Sequence, residues 1–210
     1  GIIFAFASIN DEMTDYLTIN GIPFVKVDAV QSAKDIYQVC TDHLSHIPSV
    51  VEYFLSRGVK RIGYVGPAQT RSRDGRLEAF KQAMSAQGFE TGDELIATSI
   101  FNDDEMFSAV KKLLLSDMWP EALLAGSPRF GLITLKCALS LDIKVPEQLK
   151  IIVLGSSKFF NVVYPPLSAV ELPLYDMGRR SAEMLSERMK GIETQKTVIL
   201  PSEFIIRASG

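Results

Sequence analysis

Basic charge is in deficit: 22 Lys and Arg face 25 Asp and Glu, a formal net charge of −3. That balance leaves no electrostatic footprint for a nucleic-acid backbone. Cysteine and histidine are scarce, with two of each. Cys40 and Cys137 make no disulfide framework and read as buried, reduced thiols. Asp42, His43 and His46 could offer metal-ligand chemistry on one helical turn. With no Cys or Glu cluster beside them and Pro48 just after, they read better as a helix entry. A nucleophile at Ser156 or Ser157 would need a histidine, and both histidines lie early in the chain. G-x-S-x-G, the P-loop and G-x-G-x-x-G are all missing, so neither catalysis nor a cofactor is expected. No segment approaches the roughly twenty apolar residues of a membrane span. The opening GIIFAFASIN is apolar but has no basic n-region or cleavage site, so it does not read as a signal peptide. Internal repeats, low-complexity tracts and Pro/Gly/Ser-rich linkers are also lacking. What remains is a soluble intracellular domain.

The 210 residues, 47% of them hydrophobic, suffice for one large domain or two small ones. Short β-rich runs alternate with helical patterns, which predicts parallel α/β units. Strands are expected at 2–6, 24–27, 61–65, 94–100, 122–125, 150–154 and 167–172. Helices are expected at 11–20, 49–57, 75–87, 104–115 and 129–141, with Asn102, Asp103 or Asp104 available to cap the fourth. A further helix carries Leu174, Met177, Ala182, Met184, Leu185 and Met189 at helical spacing and stops at Gly191. The last run, Val198 to Ile206, reads as one buried strand. Lys150 to Leu154 is apolar throughout, as the middle of a parallel sheet requires.

Several segments carry recognisable patterns in a fixed order. They are Val39-Cys40-Thr41-Asp42, Gly58-Val59-Lys60-Arg61-Ile62, Gly75 to Phe80, Pro120 to Ala125 and Val145 to Leu149. After them come Pro165-Pro166-Leu167 with Val170, Gly178, and the ending Arg207-Ala208-Ser209. In that order and spacing the chain resembles the ligand-binding core of lactose/galactose-type (LacI/GalR) bacterial repressors. The resemblance covers nearly the whole length, although no single motif is rare.

The resemblance implies an α/β fold of the type I periplasmic-binding-protein kind. Two Rossmann-like lobes with parallel sheets would be joined by three crossover strands, near Asp42, Val170 to Leu172 and Gln195. The first lobe would comprise 1–41 and 171–193, the second 42–170 and 194–210. Family members carry a helix-turn-helix head, a hinge and further βα units ahead of the equivalent of Gly1. The chain is therefore expected to be a fragment of a longer cytoplasmic regulator, its first lobe N-terminally truncated. Partners implied are a small-molecule effector, a second copy in a homodimer, and operator DNA through the missing head only; no membrane is involved.

The effector site is expected where open α/β sheets bind ligands, beyond the carboxyl ends of the strands. Arg76 matches the family position that holds the effector through a guanidinium fork, which suits vicinal hydroxyls or a carboxylate. Arg71, Ser72 and Arg73 share its loop, and Phe101 matches a position where an aromatic ring stacks on the ligand. Two positions depart from the family. Ser127-Pro128 stands in place of Asn-Asp, and Gly155-Ser156-Ser157-Lys158 in place of Gly-[FY]-Asp-[DN]. With acidic groups replaced by Ser127, Ser157, Lys158 and Arg129, an anionic effector such as a sugar phosphate, sugar acid or nucleotide becomes the expectation, beside a site that has lost small-molecule binding. A helix bearing Leu132, Leu135, Leu139 and Leu141 either supplies part of a dimer face or packs on the sheet. Three functions follow: a regulator core, a periplasmic-type solute receptor, or a core controlled by a protein partner.

Overall fold

Both sheets are built from strands of three to six residues, too short to stand without helices on their faces. The computed structural model describes residues 1–5, 11–27, 35–67, 75–99 and 102–210. In chain order its elements begin with β1 (Ile2–Ala5), α1 (Asp11–Ile19), β2 (Phe24–Val27), β3 (Gln38–Thr41), α2 (Ile47–Ser56), β4 (Ile62–Pro67), α3 (Arg76–Ala86) and β5 (Ile96–Ser99). They continue with α4 (Asp103–Leu114), β6 (Ala122–Ala125), α5 (Pro128–Ser140), β7 (Lys150–Leu154), β8 (Ser168–Glu171), α6 (Leu174–Met189), β9 (Thr197–Leu200) and β10 (Glu203–Ile205). The chain divides into one unit of Gly1–His43 with Leu172–Glu203 and another of Leu44–Glu171 with Phe204–Gly210. It passes from one to the other three times.

The first unit holds a four-stranded sheet in the order β1-β2-β3-β9, and each pairing is parallel. Met177, Ser181 and Met184 of α6 recur at helical spacing, and all three are buried. The two methionines pack with Val25, Val27 and Val39. The helix ends at Met189, and Gly191 follows at φ 71°, the left-handed geometry that makes glycine a helix stop. At the edge of the sheet, Ile2 and Ile3 of β1 remain 38% and 39% exposed.

In the second unit the order is β10-β8-β7-β6-β4-β5, and the pairings from β5 to β8 are all parallel. Consecutive residues of a strand point to opposite faces, so a strand covered on both sides must be apolar throughout. In β6, Leu123 and Ala125 join the core beneath α4 and α5, with Met106, Val110, Leu135 and Val153. Ala122 and Leu124 join the core on the opposite face, with Val50, Phe54, Phe80 and Met84 of α2 and α3. Leu135 is buried, Leu132 and Leu141 pack partly against the first of these cores, and Leu139 alone of the four leucines is half exposed. The helix-face leucines thus mainly pack on the sheet. Cys40 and Cys137 are buried and form no disulfide, and burial pushes the Cys137 thiol up, which keeps it in its unreactive form. Among the described residues no helix is long and apolar enough to cross a membrane.

Two segments differ from their sequence reading. The run 198–206 is not one buried strand but β9 and β10, both only partly buried. Pro201 separates them, because its ring nitrogen cannot donate to a ladder. β9 lies against β3, with Val39 opposite Val198, so residues 197–200 belong to the first sheet and the last passage between units follows Glu203. β3 was not among the strands read from local pattern and was expected only as the crossover near Asp42 that the resemblance implies. Its four residues, Gln-Val-Cys-Thr, carry no alternation, yet all are buried between β2 and β9.

Hydrogen bonds fasten the chain end. Ser209 Oγ donates to the Ile151 carbonyl at 2.7 Å and accepts from the Ser168 amide at 2.8 Å. The Arg207 amide donates to Ser168 Oγ at 2.8 Å, and its guanidinium reaches Glu171 at 2.6 Å. At the first passage, Asp42 accepts from both the amide and the hydroxyl of Ser202, each at 2.7 Å.

Two outcomes test these contacts. Ser209→Ala leaves a buried amide and a buried carbonyl short of a partner, and should cost about 1–3 kcal/mol in urea unfolding. Tyr64 is fully buried and stacks on Phe80 at 5.7 Å. A Cβ on Gly126 would sit 2.3 Å from the Tyr64 hydroxyl oxygen. Gly126→Ala should therefore destabilise by roughly 1–3 kcal/mol. Adding Tyr64→Leu should remove most of that further loss; strict additivity would show that the ring is not what forbids the methyl group.

Candidate functional site

Parallel strands all end on the same edge of their sheet, so the loops and helix starts that follow them gather there. In the second unit that edge collects the ends of β4, β5, β6 and β7 and the first turns of α3, α4 and α5. Helix N-termini present unpaired amides and a partial positive charge, which suits hydroxyl and anionic groups alike.

Arg76 opens α3 directly after Gly75, whose φ of 71° places the turn in left-handed geometry. Its side chain is half-buried. Arg71, Ser72, Arg73 and Phe101 lie outside the described residues. Asn102 is the cap of α4, its side-chain oxygen accepting from the amides of Asp104 at 2.9 Å and Glu105 at 3.4 Å.

Ser127 and Ser157 are both at this edge, half-buried, and both have local structural work. Ser127 caps α5, its Oγ accepting from the Phe130 amide at 3.4 Å, with Pro128 next as the first helical residue. Ser157 Oγ accepts from the Phe159 amide at 3.2 Å and caps the short 3-10 turn Lys158–Asn161. The sequence held the signal for the first, a Ser-Pro pair just ahead of an apolar helix.

The charge at this edge is more balanced than the sequence suggests. Arg129 donates to Asp103 at 2.5 Å across the first turns of α5 and α4. Asp104 and Glu105 add negative charge to the same turn of α4. The Lys158 ammonium lies 5.6 Å from the centre of the Phe159 ring. Of the cations counted toward a basic site, Arg129 is paired with Asp103, Lys158 rests on an aromatic face, and Arg76 stands in the first turn of α3.

The contacts of three groups at this edge were not anticipated. Asp103 is one. The second is the Pro128 ring, seated against Gly155, where a Cβ would lie 2.9 Å from Pro128 Cδ and φ is 110°. The third is Tyr64, whose ring occupies the space that side chains at Gly66 and Gly126 would need. None of these contacts has a signature in a linear pattern, since most join elements that are distant in the chain.

The histidines stand elsewhere, at the first passage. His43 is buried with Nδ1 3.1 Å from Thr41 Oγ1, and His43–His46 forms a 3-10 turn that leads into α2. Asp42 is engaged by Ser202. The cluster works as a helix entry, and among the described residues no group of three or more His, Cys, Asp or Glu side chains is placed to hold a metal ion.

Residues 51–210 match the family model of the periplasmic binding protein-like domain. Catabolite control protein A of Priestia megaterium is 25% identical over 212 residues, a match that covers 100% of this chain and 64% of that protein. The chain thus spans 64% of the length of this relative. Among solved structures, a regulatory protein of the LacI family from Chloroflexus aggregans superposes with a TM-score of 0.86 at 25% identity, covering 99% of this chain and 75% of that one. A LacI family transcriptional regulator from Enterococcus faecium, with bound ribose, gives 0.85 at 22% identity, covering 99% and 78%.

The cap at Ser127 has its own test. Ser127→Ala should lower stability by about 1 kcal/mol in denaturant unfolding, while Ser127→Asp, which keeps an acceptor at the cap, should hold most of it. Equal losses in both variants would mean that the hydroxyl does not cap α5.

Proposed function

Because the chain belongs to the periplasmic binding protein-like domain family, we propose that it is the effector-binding and dimerisation core of a LacI/GalR-type transcriptional regulator working in the cytoplasm. It takes up a small molecule, a sugar or an anionic sugar derivative such as a sugar phosphate or sugar acid. Effector binding shifts the population of two conformations, and a separate helix-turn-helix head reads that shift as a change in operator affinity. The core carries no catalysis of its own.

One observation carries this reading. Four parallel strand ends and three helix N-termini meet at one edge of the second unit, with Arg76 in the first turn of α3. A guanidinium fork there suits adjacent hydroxyls, a carboxylate or a phosphate. The relative with bound ribose supports a sugar-like effector. A homodimer gains support from apolar side chains left outside on the same unit: Leu139, Phe159, Val162 and Tyr164 are 50%, 51%, 75% and 86% exposed.

A second reading has a specific observation in its favour. Ser127 and Ser157 use their hydroxyls as caps, and Arg129 is paired with Asp103. A site with so many polar groups already engaged is what a core controlled by a protein partner would show.

A thermal-shift screen of neutral sugars, sugar phosphates, sugar acids and nucleotides separates the two. A ligand at a hundred times its Kd should add about 2.7 kcal/mol of stability. The melting temperature should rise for at least one class, and Arg76→Ala should abolish the rise. A flat response across all four classes would favour control by a protein partner.

A further inference from the structure

We infer that Asp103 is a charge-selecting residue of the effector site: by holding Arg129 it makes that corner a neutral hydrogen-bonding surface, which favours a sugar over its phosphate or acid. The inference rests on the effector-binding reading above and names the charge class that the same edge takes up.

The strand order places the pair. β4 lies between β5 and β6 in the sheet. The crossover through α3 leads from β4 to β5, and the one through α5 leads from β6 to β7, in the opposite direction along the sheet. The connections therefore part between the ends of β4 and β6, the place at which open parallel sheets leave a crevice for a ligand. On one face of the sheet α3 packs through Phe80 and Met84; on the other α4 and α5 pack through Met106, Val110 and Leu135. Arg76 opens α3 after β4, and Arg129 stands in the first turn of α5 after β6. The two residues thus belong to the two walls of one crevice. Arg129 reaches Asp103 in α4, which follows β5, so the ion pair passes the end of β4 on the α4–α5 side.

Helix electrostatics says what the pair does. A cation in the first turn of a helix is opposed by the helix dipole, whereas a carboxylate there is favoured. Arg129 stands in the unfavourable place and Asp103 in the favourable one. Together they bring no net charge to the crevice, and Asp104 and Glu105 add negative charge in the same turn of α4. Both side chains stay open to a ligand, Arg129 at 48% and Asp103 at 60% exposed. Their contact runs from Nε to Oδ1, which leaves N–H donors on the guanidinium and lone pairs on the carboxylate. A donor beside an acceptor matches a sugar hydroxyl, which both donates and accepts. A phosphate or carboxylate would instead meet Asp103 as a like charge. An exposed ion pair costs little to open, so the charge on Asp103, rather than the strength of the pair, is what turns an anion away.

The test uses the full chain, isothermal titration at low salt, and three probes: glucose, glucose 6-phosphate and inorganic phosphate. Asp103→Asn keeps the side-chain shape and removes the charge. It should raise the affinity for inorganic phosphate about tenfold, because one unit of like charge is taken from beside the anion. The ratio of glucose 6-phosphate to glucose affinity should rise by about the same factor. Adding Arg129→Gln to Asp103→Asn should cancel both gains. A gain in phosphate affinity below about threefold, with melting temperature unchanged, overturns the inference, and so does a gain that survives Arg129→Gln. Should the asparagine variant fail to fold, Asp103→Ser takes its place under the same expectations. The phosphate and sugar arms separate the two layers of the argument. A phosphate gain with no heat from either sugar supports Asp103 as the group that turns anions away and counts against a sugar effector at this edge. Sugars that bind with an unchanged affinity ratio overturn Asp103 as the selector and leave the effector-binding reading standing.

Discussion

Parallel strand pairing is the constraint on which the rest depends. A parallel pair cannot be closed by a tight turn, so each strand must be followed by a crossover long enough to return the chain, and that crossover is a helix laid on the sheet. Helices then cover both faces of the larger sheet, which forces β4, β6 and β7 to be buried on both sides. The same geometry sends every strand end and every helix start to one edge, as at the beginnings of α3, α4 and α5. The place where chemistry can occur is a by-product of how the strands pair.

Within that frame, the edge of the second unit is shaped by a few large groups against very small ones. Tyr64 needs Gly66 and Gly126, and Pro128 needs Gly155. The Tyr64–Gly126 contact joins the neighbouring strands β4 and β6, and the Pro128–Gly155 contact joins α5 to the end of β7, so a change at one strand end is felt at the next. Capping hydroxyls and the Arg129–Asp103 ion pair settle the starts of α4 and α5 in the same region. An exposed ion pair of this kind adds little stability by itself. Its larger effect is on charge, because it removes a cation from the place where an anion would bind.

The passages between the two units show how the chain end is used. β9 completes the first sheet beside β3, and seven further residues return to the second unit. There Arg207 and Ser209 bind Ser168, Glu171 and Ile151. The three-residue ending that looked like a family signature is a set of hydrogen bonds closing the edge of β7 and β8. Glu121 does comparable work at the opposite end of β6. Burial pushes its carboxyl up, but the amides of Lys60 and Arg61 and the Arg61 guanidinium outweigh that and hold it below its usual range.

The alternation of β-rich and helical segments, the helix stop at Gly191, the buried thiols and the apolar run 150–154 were legible from local pattern, since each depends on residues close in the chain. Arg76 was singled out by resemblance rather than by local pattern, and it stands in the first turn of α3. The strand character of 38–41 was not legible from local pattern and came only through the crossover expected near Asp42, because Gln-Val-Cys-Thr becomes a strand only between β2 and β9. Nor was the break at Pro201, where a missing amide matters only once the neighbouring ladder exists. At the site, Ser127 and Ser157 were named by resemblance as effector contacts, and residue type does not say that their hydroxyls also cap local turns. Sequence by itself determined which elements form and roughly where ligand chemistry would gather, because propensity and periodicity act within a few residues. Tertiary structure alone decided which polar groups remain available at that edge, because their partners come from strands and helices far apart in the chain.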